Sequence, residues 1–95
     1  MSTELQHRTS QNRYVLLVDG REAGFADYRL TGNAIVFTHT EVDPAHRDEG
    51  LASTLIAGAL DDVRTGSGLK LVAQCPFVVD FIDAHAEYHE LEERG

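Results

Sequence analysis

Apolar and polar positions follow a two-residue period through the first half of the chain and a helical period through much of the second. Tyr14 to Val18 is an apolar, β-favouring run that ends at Asp19-Gly20, a hairpin turn signal. Glu22 to Leu30 reads as a weaker returning strand, with Ala23, Phe25 and the ring of Tyr28 supplying apolar area. Thr31-Gly32-Asn33 is the next turn, and Ala34 to Val42 is the strongest strand. Strict alternation puts Ala34, Val36, Thr38, Thr40 and Val42 on one face and Ile35, Phe37, His39 and Glu41 on the other. Both faces begin apolar, as in a central strand covered on both sides. These three strands form an antiparallel meander. The polar residues 1–12 are expected to be a frayed or edge segment.

Pro44 ends the third strand because it has no N–H for the ladder. After a polar loop, His46-Arg47-Asp48-Glu49, Gly50 opens a helix. Leu51, Leu55, Ala59 and Val63 recur every fourth residue, and Ala52, Ile56 and Leu60 widen the stripe. Gly66 or Gly68 is the expected stop. Leu69 to Gln74 is a short apolar strand. A strand, helix, strand order of this length implies a parallel, right-handed crossover. Cys75-Pro76 places proline in the first turn of a second helix, with Phe77, Val78, Phe81 and Ile82 as its apolar stripe and an end near His85. Tyr88 and Leu91 are expected to dock, and Glu92 to Gly95 to fray. The predicted class is α/β (α+β), a mixed sheet in the order β-β-β-α-β-α within one domain.

Charge changes what such a domain can bind. The 95 residues include 8 basic and 16 acidic side chains, a net charge of −8. Without a basic cluster, nucleic acid and anionic membrane surfaces are poor partners. No apolar run approaches the ~20 residues of a membrane span, and the N-terminus lacks a secretory pattern, so a cytoplasmic location is expected. A phosphorylated ligand would have to be held largely by backbone amides. The single cysteine, Cys75, allows no intrachain disulfide and no multi-thiolate zinc site.

Arg47-Asp48-Glu49-Gly50-Leu51-Ala52 joins the central strand to a helix that starts with small residues. First-turn N–H groups lack intrahelical partners, and the helix dipole favours an anion there, so this loop is a candidate pyrophosphate cradle. An ordinary βα connection with a turn glycine is the simpler alternative. The pattern Arg47-x-x-Gly50-x-Ala52, following Val42-x-Pro44, resembles the acetyl-CoA motif of the GNAT N-acetyltransferase superfamily. His39-Thr40-Glu41-Val42 before it, Cys75-Pro76-Phe77-Val78 after the next strand and His85-x-x-Tyr88 beyond resemble a compact GNAT-like group of about this length. The likeness covers roughly residues 13–91. It implies a sheet splayed between two parallel strands with acetyl-CoA entering the splay. It implies a cofactor site at Val42, Arg47, Asp48, Glu49, Gly50, Leu51, Ala52 and Ser53. Asp48 and Glu49 replace the glycine and neutral residue of many relatives, and carboxylates beside a pyrophosphate repel it unless they point to solvent.

Cys75 lies at a helix N-terminus, where a thiolate is stabilised. It reads as an acetyl-carrying nucleophile, as a residue lining the site, or as a packed core thiol. The resemblance points to acetyl-cysteine; the usual GNAT route is direct attack by the amine. His39 and Glu41 project side by side and are candidates for the base that deprotonates an ammonium acceptor. A polar strand end is the plain alternative. His85 and His89 fit no usual zinc spacing with Cys75, so no metal site is expected. His85 is read as capping helix carbonyls, and Asp61, Asp62 and Arg64 as a solvated helix face. The leading function is acetyl-CoA-dependent acetylation of an amine, with the acidic balance favouring a cationic acceptor. An acyl-CoA-binding or regulatory module with little catalysis, or a protein-interaction domain, are the alternatives. So short a chain leaves little to shape an acceptor pocket, so a protein partner or a homodimer is expected to complete it.

Overall fold

A computed structural model describes residues 2–44 and 50–94. Five strands form one sheet in sequence order: β1 (Thr3–Arg8), β2 (Arg13–Val18), β3 (Arg21–Thr31), β4 (Ala34–Val42) and β5 (Lys70–Ala73). The first four pair antiparallel, and β4 pairs parallel with β5. The crossover helix is α1 (Leu51–Gly66); α2 (Pro76–Ala84) and a single-turn α3 (His89–Glu92) follow β5. The expected meander and α-β-α unit are present. The N-terminal segment is an edge strand, so the antiparallel part has four strands rather than three.

The helical stripe read from the sequence is the buried face of α1: Leu51, Leu55, Ile56, Ala59, Leu60 and Val63 are all buried. They meet Tyr14, Leu16, Tyr28 and Phe37 of the sheet and Val78, Phe81 and Ile82 of α2 in one core. Burying side chains of this size contributes about 1.5–3 kcal/mol each for the larger ones. Val15 and Val36 point to the opposite face of the sheet and are buried outside that cluster. No helix among the described residues is long and apolar enough to cross a membrane.

A bulge in β4 changes which side chains share a face. Asp27 pairs with His39 and Tyr28 with Phe37, so Thr38 is the extra residue. Alternation is reset at that point. Phe37 and Thr40 therefore face the helices. His39 and Glu41 face the other side, with Phe25 and Asp27 of β3. Strict alternation from the sequence put His39 on the face of Phe37, and the bulge corrects this.

The polar face of α1 is tied down. The Tyr14 hydroxyl donates to Asp62 at 2.7 Å, and His7 Nδ1 lies 3.2 Å from the same carboxylate. His7 stacks on Tyr14 at 4.0 Å, and its Nε2 meets the Tyr28 hydroxyl at 2.7 Å. Asp61 accepts from Tyr88 at 2.8 Å and from Arg64 at 2.7 Å. The expected solvated face is thus a set of anchors for β1 and for the C-terminal segment. Tyr88 and Leu91 dock as expected, whereas the fraying expected from Glu92 onward is corrected by Arg94. Leu91 is fully buried, and the Arg94 guanidinium donates to the carbonyls of Val63, Arg64, Ser67 and Leu69. These carbonyls lie at the end of α1 and the entry to β5, and that of Val63 also accepts from the Ser67 N–H and hydroxyl.

Gly50 precedes α1 at φ +70°, a left-handed conformation that costs an L side chain energy, and open space surrounds its Cα. Gly50→Ala should therefore lower stability by about 1 kcal/mol through backbone strain alone, measured by urea denaturation. All three tyrosines have raised phenol pKa values, in each case first because of burial, with Asp62 adding to the shift at Tyr14 and Tyr28 and Asp61 at Tyr88. The unfolded phenols ionise near 10.0 and the folded ones above it. Their contribution is complete below that pH and is lost as pH rises toward the folded values. The melting temperature should fall steeply above about pH 10, with phenolate absorbance at 295 nm appearing together with unfolding. Phenolate absorbance developing fully while the fold is intact would contradict this.

Candidate functional site

The site arises where β4 and β5 part. Their pairing runs from Ala34 and Lys70 to Phe37 and Ala73 and then stops. The Phe37 carbonyl receives both the Gln74 and the Cys75 N–H, each at 3.0 Å, as the chain leaves β5 for α2. β4 continues to Val42. Among the described residues, no strand flanks it there on the β5 side. This is the expected splay. It opens into a cleft of about 820 Å³.

Two kinds of wall line that cleft. On the helix side are Thr40 and Val42 of β4, Ala52 of α1 and Phe77 of α2. Phe77 was expected in the apolar stripe of α2, but it is 37% exposed and faces the cleft, while Val78, Phe81 and Ile82 make the buried face. On the other side are Arg13, Glu22, Phe25 and Glu41. Gly24 lies between these walls for a steric reason. A Cβ there would come within 2.9 Å of the Glu41 carbonyl and 3.1 Å of Val42 Cγ2.

His39 and Glu41 are brought together as expected, with Nε2 to Oε1 at 3.1 Å and both side chains more than half exposed. Glu41 lines the cleft; His39 stands behind it, beside the Phe25 ring at 6.0 Å. Arg13 donates from Nε and Nη2 to the two Asp27 oxygens at 2.6 and 3.1 Å and lies 4.0 Å above the Phe25 ring. The hydrogen bond to Asp27 raises the guanidinium pKa further. Arg13, Phe25 and Thr40 were not singled out from the sequence as site residues. Only the strand register brings them to one cleft, and no local motif marks it.

Of the expected cofactor residues, Arg47, Asp48 and Glu49 lie outside the described residues. Gly50 caps α1 without a side-chain hydrogen bond, and no acidic residue occupies its first turn. Backbone N–H groups at Leu51, Ala52 and Ser53 are thus of the kind that carries positive partial charge at a helix start. Ala52 borders the cleft, Leu51 is packed in the core, and Ser53 is exposed. The glycine, the small Ala52 and the uncapped first turn fit a phosphate group.

Cys75 is the N-cap of α2, as the sequence implied. The residue is 6% exposed, and Sγ lies 3.4 Å from Thr40 Oγ1. Thr40 borders the cleft, and the sulfur sits behind it. His85 Nδ1 donates to the Phe81 carbonyl at 2.8 Å and His89 Nε2 to that of Ile82 at 3.0 Å, so both rings serve the end of α2. Among the described residues, no group of three or more potential ligands could hold a metal ion.

The comparisons with known proteins agree with this geometry. None of the curated proteins matches the chain. Among solved structures, the ribosomal-protein-S18-alanine N-acetyltransferase from Escherichia coli superposes with a TM-score of 0.63 at 18% identity, over 76% of this chain and 49% of that one. A ribosomal-protein-alanine N-acetyltransferase from Brucella melitensis biovar Abortus 2308 gives 0.58 at 27% identity, over 83% and 61%. The N-acetylglutamate synthase from Neisseria gonorrhoeae, solved with coenzyme A and N-acetyl-glutamate, gives 0.61 at 18%, over 88% and 23%. The chain thus spans about half of the first of these proteins and less than two thirds of each. The family described as GCN5-related N-acetyl-transferase matches residues 13–91. A match over most of the chain, on a sheet splayed in this way, makes this chain a member of that family.

Proposed function

We propose that the chain transfers an acetyl group from acetyl-CoA to an amine. The observation that carries this reading is the cleft itself: β4 runs on past its last pair with β5 and leaves an open strand edge beside the uncapped start of α1. The first-turn amides of α1, with Gly50 allowing close approach, suit the pyrophosphate. The β4 edge toward Val42 offers backbone groups to an extended, amide-bearing chain. An acidic protein can hold a polyanion in this way because the attraction comes from oriented backbone dipoles.

His39 and Glu41 supply the base. Glu41 reaches the cleft and His39 hydrogen-bonds to it, so the pair can take the proton that an ammonium acceptor must lose before attack. On the wall that Arg13 borders, Arg13 is offset by Asp27 and Glu22 by Arg8 at 2.8 Å, which leaves the Glu41 carboxylate to favour a cationic acceptor. The small exposure of Cys75 and its place behind Thr40 favour direct attack over an acetyl-cysteine intermediate. An acyl-CoA-binding module with little turnover is the second reading.

Acetyl-CoA at about 100 times its dissociation constant should stabilise the domain by about 2.7 kcal/mol, a rise in melting temperature of roughly 10 °C or more for a chain of this size. No shift would remove the cofactor from the proposal. Acceptor-dependent CoA release should then follow, with cationic amines ahead of neutral ones; a thermal shift without release selects the binding module. Intact-mass measurement after acetyl-CoA treatment should show no adduct on Cys75 that an amine discharges. His39→Ala and Glu41→Ala should each lower turnover and alter its pH profile. Full activity with the parental profile in both variants would exclude the pair as the base.

A further inference from the structure

We infer that Thr40 is a catalytic residue, its hydroxyl donating a hydrogen bond to the thioester sulfur as the C–S bond breaks, and that Cys75 positions it. The inference rests on the acetyl-transfer reading above. Among the β4 and helix side chains on the helix side of the cleft, Val42, Ala52 and Phe77 are apolar and Thr40 is polar. The β4 bulge turns Thr40 inward, toward the place where β4 and β5 separate. A threonine hydroxyl has one proton to give and two lone pairs to receive. The Cys75 thiol, held at the α2 N-cap, donates to Oγ1 at 3.4 Å. That leaves the hydroxyl proton to point into the cleft.

The chemistry needs a donor at this point. An ammonium acceptor gives up two protons: the first passes to the His39–Glu41 pair and on to solvent before attack, and the second follows the same way as the amine nitrogen bonds to the acetyl carbon, while the C–S bond breaks and its electron pair stays on sulfur. The thiolate so formed lies against an apolar wall, where a fixed donor is worth far more than in water. Thr40 keeps its proton throughout, and the thiolate is protonated later by solvent.

The test reads binding as well as rate. At pH 9, where a large share of CoA is thiolate, wild-type protein should bind CoA at least about fivefold more tightly than desulfo-CoA, as a hydrogen bond to a charged group allows. Thr40→Val, nearly the same shape without the hydroxyl, should bring this ratio close to one; Thr40→Ser should keep it. In turnover, Thr40→Val should lower kcat roughly tenfold to a hundredfold with KM for acetyl-CoA changed less than about twofold, and Thr40→Ser should restore most of it. Cys75→Ala should show a smaller loss that Cys75→Ser repairs. An unchanged CoA preference in Thr40→Val, or full activity of that variant, overturns the role of Thr40. A wild-type protein that binds neither CoA form, or never releases CoA to an amine, overturns the transferase reading instead.

Discussion

The early end of the β4–β5 pairing organises the molecule. A parallel pair would ordinarily continue as long as both strands last, yet here the Phe37 carbonyl takes two N–H donors in succession and β5 is finished. This satisfies the turning chain locally, so the divergence leaves no polar debt at its root. The cleft opens beyond that point. β4 gains a bare edge, α2 is aimed back across the cleft with Phe77 on its rim, and Cys75 lands opposite Thr40. A longer β5 would close the cleft.

The bulge at Thr38 is the second constraint, and it acts on orientation. Without it, His39 would share the face of Phe37 and compete with Tyr14 and Tyr28 for the core. With it, the imidazole and the Glu41 carboxylate stand on the open side next to Phe25, while Thr40 takes an inward place. One additional residue thus decides that the His39–Glu41 pair takes the open face and the Thr40 hydroxyl the helix face. β-Bulges recur beside active sites because they re-aim side chains in this manner.

Much of this was legible in the chain itself. Ala34 to Val42, the α1 stripe from Leu51 to Val63, and proline at the start of α2 are local signals, and local periodicity resolves them. The residues around Gly50 and Cys75 were legible as a site because their spacing is fixed within one connection. What was hidden depends on register. Nothing near Arg13 shows that it stacks on Phe25, and nothing near Thr38 shows that it is extra. The polar strand β1 carries little hydrophobic signal, since it is held largely by ladder hydrogen bonds and by the His7 contacts with Asp62 and Tyr28. Arg94 was hidden for a similar reason: its four carbonyl partners come from the end of α1 and the segment leading into β5, remote in sequence.

Net charge and cofactor are reconciled by where the charges lie. A domain of charge −8 should repel a polyphosphate at long range, but screening limits that repulsion to about 10 Å at ordinary ionic strength. Within that distance the cleft is electrically asymmetric. One border is the start of α1, where the first-turn amides have no partner within the helix and no acidic residue sits in the first turn. Another carries Glu41, with Arg13 offset by Asp27 and Glu22 by Arg8. An anion is favoured at the first border and a cation at the second. In the proposed reaction this asymmetry orders the two substrates, since an acyl donor bound in reverse would place its phosphates against a carboxylate. Short-range polarity across one small cleft can therefore sort an anionic donor from a cationic acceptor.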